Sequence, residues 1–209
     1  MDLSVFDLDL SLQIINQGEQ KISVKLQGLP LQYANALRRI CLNGIPIFAV
    51  DTVDILENSS ILADEGISHR LGLIPLKTEL SSIQTNNETD KIVLSLDSGV
   101  ATESRTVFSS ELKSQDDVIK PVSDNIPIVT LAPNQRIKFE AHARLGRGTE
   151  HAKWNSSNIA TLLETTKDDE HILTVETTGA LEPKNIIIAG VNELSSRLDS
   201  FKQIISDLK

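Results

Sequence analysis

A single cysteine, Cys41, stands in a chain of 209 residues. One thiol excludes an internal disulfide, a CxxC zinc site and a protein-held iron–sulfur cluster. Aromatic residues are only 3% of the chain, too few for a platform that stacks single-stranded nucleic acid. Positive charge is also scarce: 20 basic residues face 29 acidic ones, a net charge of −9. A protein that coats nucleic acid by bulk charge needs the opposite balance. Apolar runs fall far short of the ~20 residues that span a bilayer. The opening MDLSVFDLDLSLQII is acidic, whereas a signal peptide opens with positive charge. The expectation is a soluble, cytoplasmic protein with no membrane partner. Long-period repeats are lacking as well, which sets solenoids aside.

What is there is globular material. Hydrophobic residues make up 40% and charged residues 23%, and the length suits one large domain or two small ones. In QKISVKLQ (20–27), Ile22, Val24 and Leu26 alternate with polar residues, the mark of a half-buried strand. LPLQYANALRRICLNGIP follows as a helix, with Pro30 in its first turn and Asn43-Gly44 closing it. Leu31, Ala34, Leu37 and Cys41 share its apolar stripe, widened by Tyr33 and Ile40. Arg38 and Arg39 form a basic flank with no acid between positions 32 and 50. Residues 47–56 read as a strand and DEGISHRLG (64–72) as a short helix, with Asp64 and Glu65 at the positive end of its dipole.

Residues 77–125 are polar and rich in turns, with strand-like pieces at 92–97 and 105–109. IPIVTLA (126–132) leads into QRIKFEAHAR (135–144). There Ile137, Phe139, Ala141 and Ala143 face one way and Lys138, Glu140, His142 and Arg144 the other, until Gly146 and Gly148 break the pattern. HILTVETTG (171–179) is a further strand.

From Pro183 onward the pattern becomes helical. Ile187, Val191, Leu194, Leu198, Phe201, Ile205 and Leu208 recur at alternating steps of four and three. That is a 3.5-residue seam, the spacing that packs one helix lengthwise on another, and it runs roughly 33 Å at 1.5 Å per residue. Two readings stay open on pattern alone: a long helix lying on its own sheet, or a subunit interface.

Catalytic constellations fare worse. His142 and His151 flank a glycine-rich turn, but a metal site needs three or four converging ligands, and no HExxH occurs. LGRGTEH lacks the GK[ST] of a phosphate loop, so its glycines read as a turn needing positive φ. No G-x-S-x-G elbow is present. Cys41 lies on an apolar stripe near a helix C-terminus, a setting that raises a thiol pKa, so it reads as core. Asp51 and Asp54, three apart on a strand, are expected to face opposite sides. Five bases against two acids between 129 and 154 make a locally basic stretch, suited to an acidic protein surface. A metal-dependent hydrolase using His142 and His151 is the rival reading, and a homodimeric scaffold a third.

LPLQYANALRRICLNGIPIFAVDTVDI resembles the helix-plus-strand signature of the RNA polymerase alpha-like subunits. DEGISHRLGLIPL, IPIVTLAPNQRIKFEAHARLGRGTEHAKW and TVETTGALEP resemble the archaeal and eukaryotic branch of that family, in particular its archaeal D type. That type is similar to the third-largest subunit of eukaryotic RNA polymerase II and, more distantly, to the N-terminal domain of the bacterial alpha subunit. The four motifs occur in the family's order and cover about half the chain.

The resemblance implies an α+β fold: a dimerisation subdomain of residues 1–45 with 170–209, and a mainly β subdomain, 46–169, inserted between. It implies a non-catalytic assembly subunit that pairs with the small alpha-like subunit, L, and recruits subunits N and P and then the second-largest, catalytic subunit. Sequence-specific DNA contact is not expected. On this resemblance the L interface comprises Leu37, Ile187, Val191, Leu194, Leu198, Phe201, Ile205 and Leu208. The large-subunit interface comprises Arg38, Arg39, His69, Arg70, His151, Lys153 and Trp154. Some relatives carry a cysteine-rich iron–sulfur insertion between the HAKW and TVE motifs. Here that interval, 155–173, has no cysteine, so no cofactor is expected.

Overall fold

The structure, a computed structural model, describes residues 10–79, 91–165 and 169–207. The fold is α+β and divides into two compact units, Met1–Ile45 with Asn155–Lys209, and Pro46–Trp154.

The first unit is a four-stranded antiparallel sheet under two helices. The strands are β1 (Ser11–Gln17), β2 (Lys21–Gln27), β9 (Ser157–Glu164) and β10 (Glu170–Thr177), in the order β1-β2-β10-β9. The alternation in β2 buries Ile22, Val24 and Leu26 on the face that Leu173 and Val175 of β10 also line. Helix α1 (Leu31–Asn43) and the N-terminal part of α3 (Pro183–Ser206) cover that face. Ala34, Leu37, Ile40 and Cys41 of α1 meet Ile186, Ile187 and Gly190 of α3 in the core.

By its contacts the chain returns to this unit at Asn155, earlier than the boundary expected at 170. β9 pairs with β10 from Ser157↔Thr177 to Glu164↔His171, so the inserted part closes at Trp154. Leu31 and Tyr33 are also corrected, lying exposed outside the buried stripe.

Two hydroxyls set the end of α1. Ser156 and Ser157 both donate to the Cys41 carbonyl at 2.8 Å, satisfying one of the carbonyls a helix end leaves unpaired. Gly44 closes the helix with its N–H on the Ile40 carbonyl, at φ −94. A Cβ at this glycine would sit 3.0 Å from the Ile40 Cα.

The second unit carries β3 (Ile47–Asn58), β4 (Lys91–Asp97), β6 (Lys113–Ser114) and β8 (Ile137–Gly146) in one sheet, ordered β3-β8-β4-β6. A separate ribbon joins β5 (Arg105–Phe108) to β7 (Pro127–Leu131), and helix α2 spans Asp64–Gly72. The core gathers Phe48, Ile67, Leu71, Leu94 and Leu131 with Ile137, Phe139, Ala141 and Ala143, the inward set expected of β8.

Gly146 and Gly148 are not positive-φ residues among those described; Gly28, Gly99 and Gly179 are the glycines that are. Gly146 is required for another reason. It lies within β8, where a Cβ would overlap the Trp154 indole.

Candidate assembly surfaces

The seam of α3 divides sharply. Ile187 is 6% exposed and packed into the unit's own core, as is Leu37 at 4%. Both were assigned to a partner surface, and both are corrected: they face the α1–α3 contact, where Leu37 Cδ1 would lie 3.3 Å from a Cβ on Gly190. One turn further, the cover ends. Val191, Leu198, Phe201, Ile204 and Ile205 are about half exposed or more, and Leu194 is half-buried. Leu208 lies outside the described residues. A helix apolar on a stripe with nothing against it is unstable material in water, because its stability comes from packing that stripe.

The sheet repeats this exposure. Leu12 pairs with Leu26 and Ile14 with Val24, and directly opposed residues share a face. Leu26 and Val24 are buried, yet Leu12 and Ile14 are 54% and 46% exposed on that face. The first unit therefore carries bare apolar surface on a strand and on a helix. The sequence pattern above predicts only the helix, although Leu10, Leu12 and Ile14 do alternate with Ser11 and Gln13; Ile15 then falls out of step, where a bulge between Ile14 and Asn16 interrupts the period.

The assigned basic residues are placed unevenly. Arg39 is exposed and has no hydrogen bond or ion pair among the described residues. Arg38 is half-buried, its Nε donating to Asn35 Oδ1 at 3.0 Å and its Nη1 to the Ala160 carbonyl at 3.4 Å. His69 and Arg70 are exposed on α2, with Arg70 Nη2 donating to the Pro127 carbonyl at 2.6 Å.

His151, Lys153 and Trp154 are drawn together in the second unit, in and beside a single 3-10 turn, Ala152–Trp154. Trp154 was assigned to an assembly surface and is corrected, since it is 3% exposed. Arg144 and Lys153 lie 4.3 and 4.2 Å from its ring centroid, where the ring quadrupole attracts cations. Its Nε1 donates to the Arg144 carbonyl at 3.3 Å. Asp51 ties the two cations together, at 2.9 Å from Arg144 Nε and 3.1 Å from Lys153 Nζ. Burial would raise the Asp51 carboxyl, but the hydrogen bonds from Arg144 and Lys153 outweigh it and hold the group below its ordinary value. His151 Nδ1 accepts the Lys153 N–H at 3.1 Å.

The basic stretch is thereby largely neutralised within its own unit. Arg136 bonds Asp97 and Glu57, Lys138 lies near Asp97, and Arg144 also reaches Glu150. The expected directional patch is corrected accordingly. So is the pair of aspartates: β3 bulges between Val50 and Thr52, and the extra residue is Asp51. A bulge shifts the face of everything beyond it. Asp51 thus meets Arg144 while Asp54 meets His142 at 2.9 Å, two residues that share one face of β8. Among the described residues, no three His, Cys, Asp or Glu side chains gather where they could hold a metal ion.

Comparison with known proteins decides the family. Residues 53–167, more than half the chain, match the family described as the RNA polymerase Rpb3/RpoA insert domain. A Methanocaldococcus jannaschii protein named DNA-directed RNA polymerase subunit Rpo3 is 38% identical over 174 residues, covering 83% of this chain and 85% of its own length. The chain belongs to the alpha-like subunit family of RNA polymerase, in its archaeal Rpo3 branch. The Rpo3 proteins of Pyrococcus furiosus and Thermococcus kodakarensis are 46% and 44% identical over 150 residues, 69% of this chain. The chain spans 56% of the length of each of those two Rpo3 relatives. No helix among the described residues is long and apolar enough to cross a membrane.

Proposed function

We propose that this Rpo3-family chain is a non-catalytic assembly subunit of DNA-directed RNA polymerase. It pairs with the small alpha-like subunit L through its first unit. The observation that carries this reading is the bare apolar stripe of α3, Val191 to Ile205, together with the uncovered Leu12 and Ile14 of β1. A partner bearing an equivalent sheet and helix would bury both at once. Covering the exposed half of each such side chain contributes on the order of 1 kcal/mol, and a seam of 3.5-residue period selects a second helix as its cover. The heterodimer would then recruit subunits N and P and the second-largest, catalytic subunit. For that last contact Arg39 is the best-placed residue, because its planar fork is unengaged among the described residues and suits carboxylates or carbonyls. The chemistry of nucleotide transfer would reside in the large subunits, and the place of action would be the cytoplasm.

Co-expression with subunit L from the same source, followed by gel filtration, tests the pairing. A single 1:1 peak is expected; two separate chains would refute the proposal. Light scattering of the chain alone distinguishes the homodimeric scaffold, which would show a stable dimer without L.

A further inference from the structure

Ile61 is 94% exposed, more than any other large apolar side chain among the described residues. It does not sit on a loose tip. Asn58 Nδ2 donates to the Leu62 carbonyl at 2.9 Å and to Asp64 Oδ1 at 2.6 Å, and Asn58 Oδ1 accepts from the Ser60 N–H and hydroxyl. Ser59 is pinned to the backbone of Arg136, its N–H donating at 3.0 Å and its Oγ accepting at 2.8 Å. The segment Asn58–Asp64 is therefore held at several points between β3 and α2, with an isoleucine at its crest. Such an arrangement does nothing for the fold, since Ile61 packs on little of its own chain. It does suit a binding anchor, because a loop whose backbone is already held loses little further freedom on docking.

The surroundings specify the partner's chemistry. ENSSILADE (57–65) contains three acids and no base. Arg136 offsets Glu57, while the exposed Glu65 has no partner among the described residues. An apolar knob beside acidic side chains complements an apolar pocket rimmed by lysine or arginine, and repels an acidic surface.

We propose that the Asn58–Asp64 loop is a docking knob whose Ile61 enters a basic-rimmed apolar pocket on another subunit of the polymerase. This rests on the assembly role above and adds a contact residue that the family resemblance did not supply. The test uses the full chain, co-expressed with L and reconstituted into polymerase. Ile61→Asp should melt and pair with L as the unmodified chain does, yet enter the complete enzyme about tenfold less well. Ile61→Leu should restore entry. Glu65→Lys should weaken entry in low salt and less so in high salt. A photo-crosslinker at position 61 should capture a different subunit, at a peptide carrying lysine or arginine. Normal entry of Ile61→Asp overturns the knob, as does capture of a second copy of this chain, of an acidic peptide, or of nothing. If the unmodified chain neither pairs with L nor enters the enzyme, the assembly role fails and the knob with it. If it pairs and enters normally while Ile61→Asp does too, only the knob fails.

Discussion

At Gly190, α3 packs closely against α1. A Cβ there would stand 2.9 Å from Cys41 Sγ and 3.3 Å from Leu37 Cδ1. Gly190→Val should therefore destabilise the chain by about 1–3 kcal/mol through overpacking, read from urea denaturation. Cys41→Ala should relieve part of the milder Gly190→Ala, since residues in contact do not act independently. The Cys41 thiol itself is pushed up to about 12 by burial, as befits a core residue. Asp97 shows the opposite displacement. The hydrogen bonds from Arg136 and from the Gly99 N–H hold its carboxyl at about 2, against roughly 3.9 for an unfolded aspartate. A folded pKa below the unfolded one means the stabilisation is complete above about pH 4 and is lost as pH falls towards 2. Carboxyl NMR should place the Asp97 midpoint near that lower value, and Arg136→Gln should move it up.

At the scale of elements, α3 behaves as two segments. Its first turns are fastened to α1, and the rest presents a bare stripe. Leu198 is 50% exposed, so Leu198→Asp should change the stability of the isolated chain by about 0.5 kcal/mol or less. In the heterodimer the same change would bury an unpaired charge, costing several kcal/mol. Pairing with L should weaken about a hundredfold or more, measured by titration calorimetry, while the melting curve of the chain alone stays in place. The 3.5-residue period of the helix was plain in the sequence. Its division was not, because period reports which residues share a stripe and not what lies opposite. The same limit explains β9. NIATLLE carries apolar residues on both faces, Ile159 and Leu163 exposed, Ala160 buried, so only its ladder with β10 identifies it as a strand.

For the whole molecule, the bare surface of the first unit predicts a stability that depends on company. Anything that binds the folded chain and not the unfolded one raises its apparent stability by mass action. Adding L should raise the melting temperature in proportion to the logarithm of free L, with no effect from an L variant that does not pair. A melting temperature indifferent to L would count against the assembly role. Charge tells a related story at this scale. The net charge of −9 argues against a nucleic-acid coat, and the one basic stretch is bound up with Asp51, Asp97, Glu57 and Glu150.

Periodicity and composition determined much of this protein unaided: the strand Lys21–Gln27, the helix Leu31–Asn43, the inward face of Ile137–Gly146 and the helix from Pro183, while the kinship rests on the resemblance of four motifs to a known family. These are local properties, written in which residues recur at which spacing. Tertiary structure decided the rest. It turned Trp154 inward beneath Arg144 and Lys153 and brought Asp51 onto the face of Asp54 by one bulged residue. It returned the chain to its first unit at 155, covered Leu37 and Ile187, and left Val191, Leu198 and Phe201 bare. Each of these depends on what a distant segment places opposite, and no spacing along the chain encodes that.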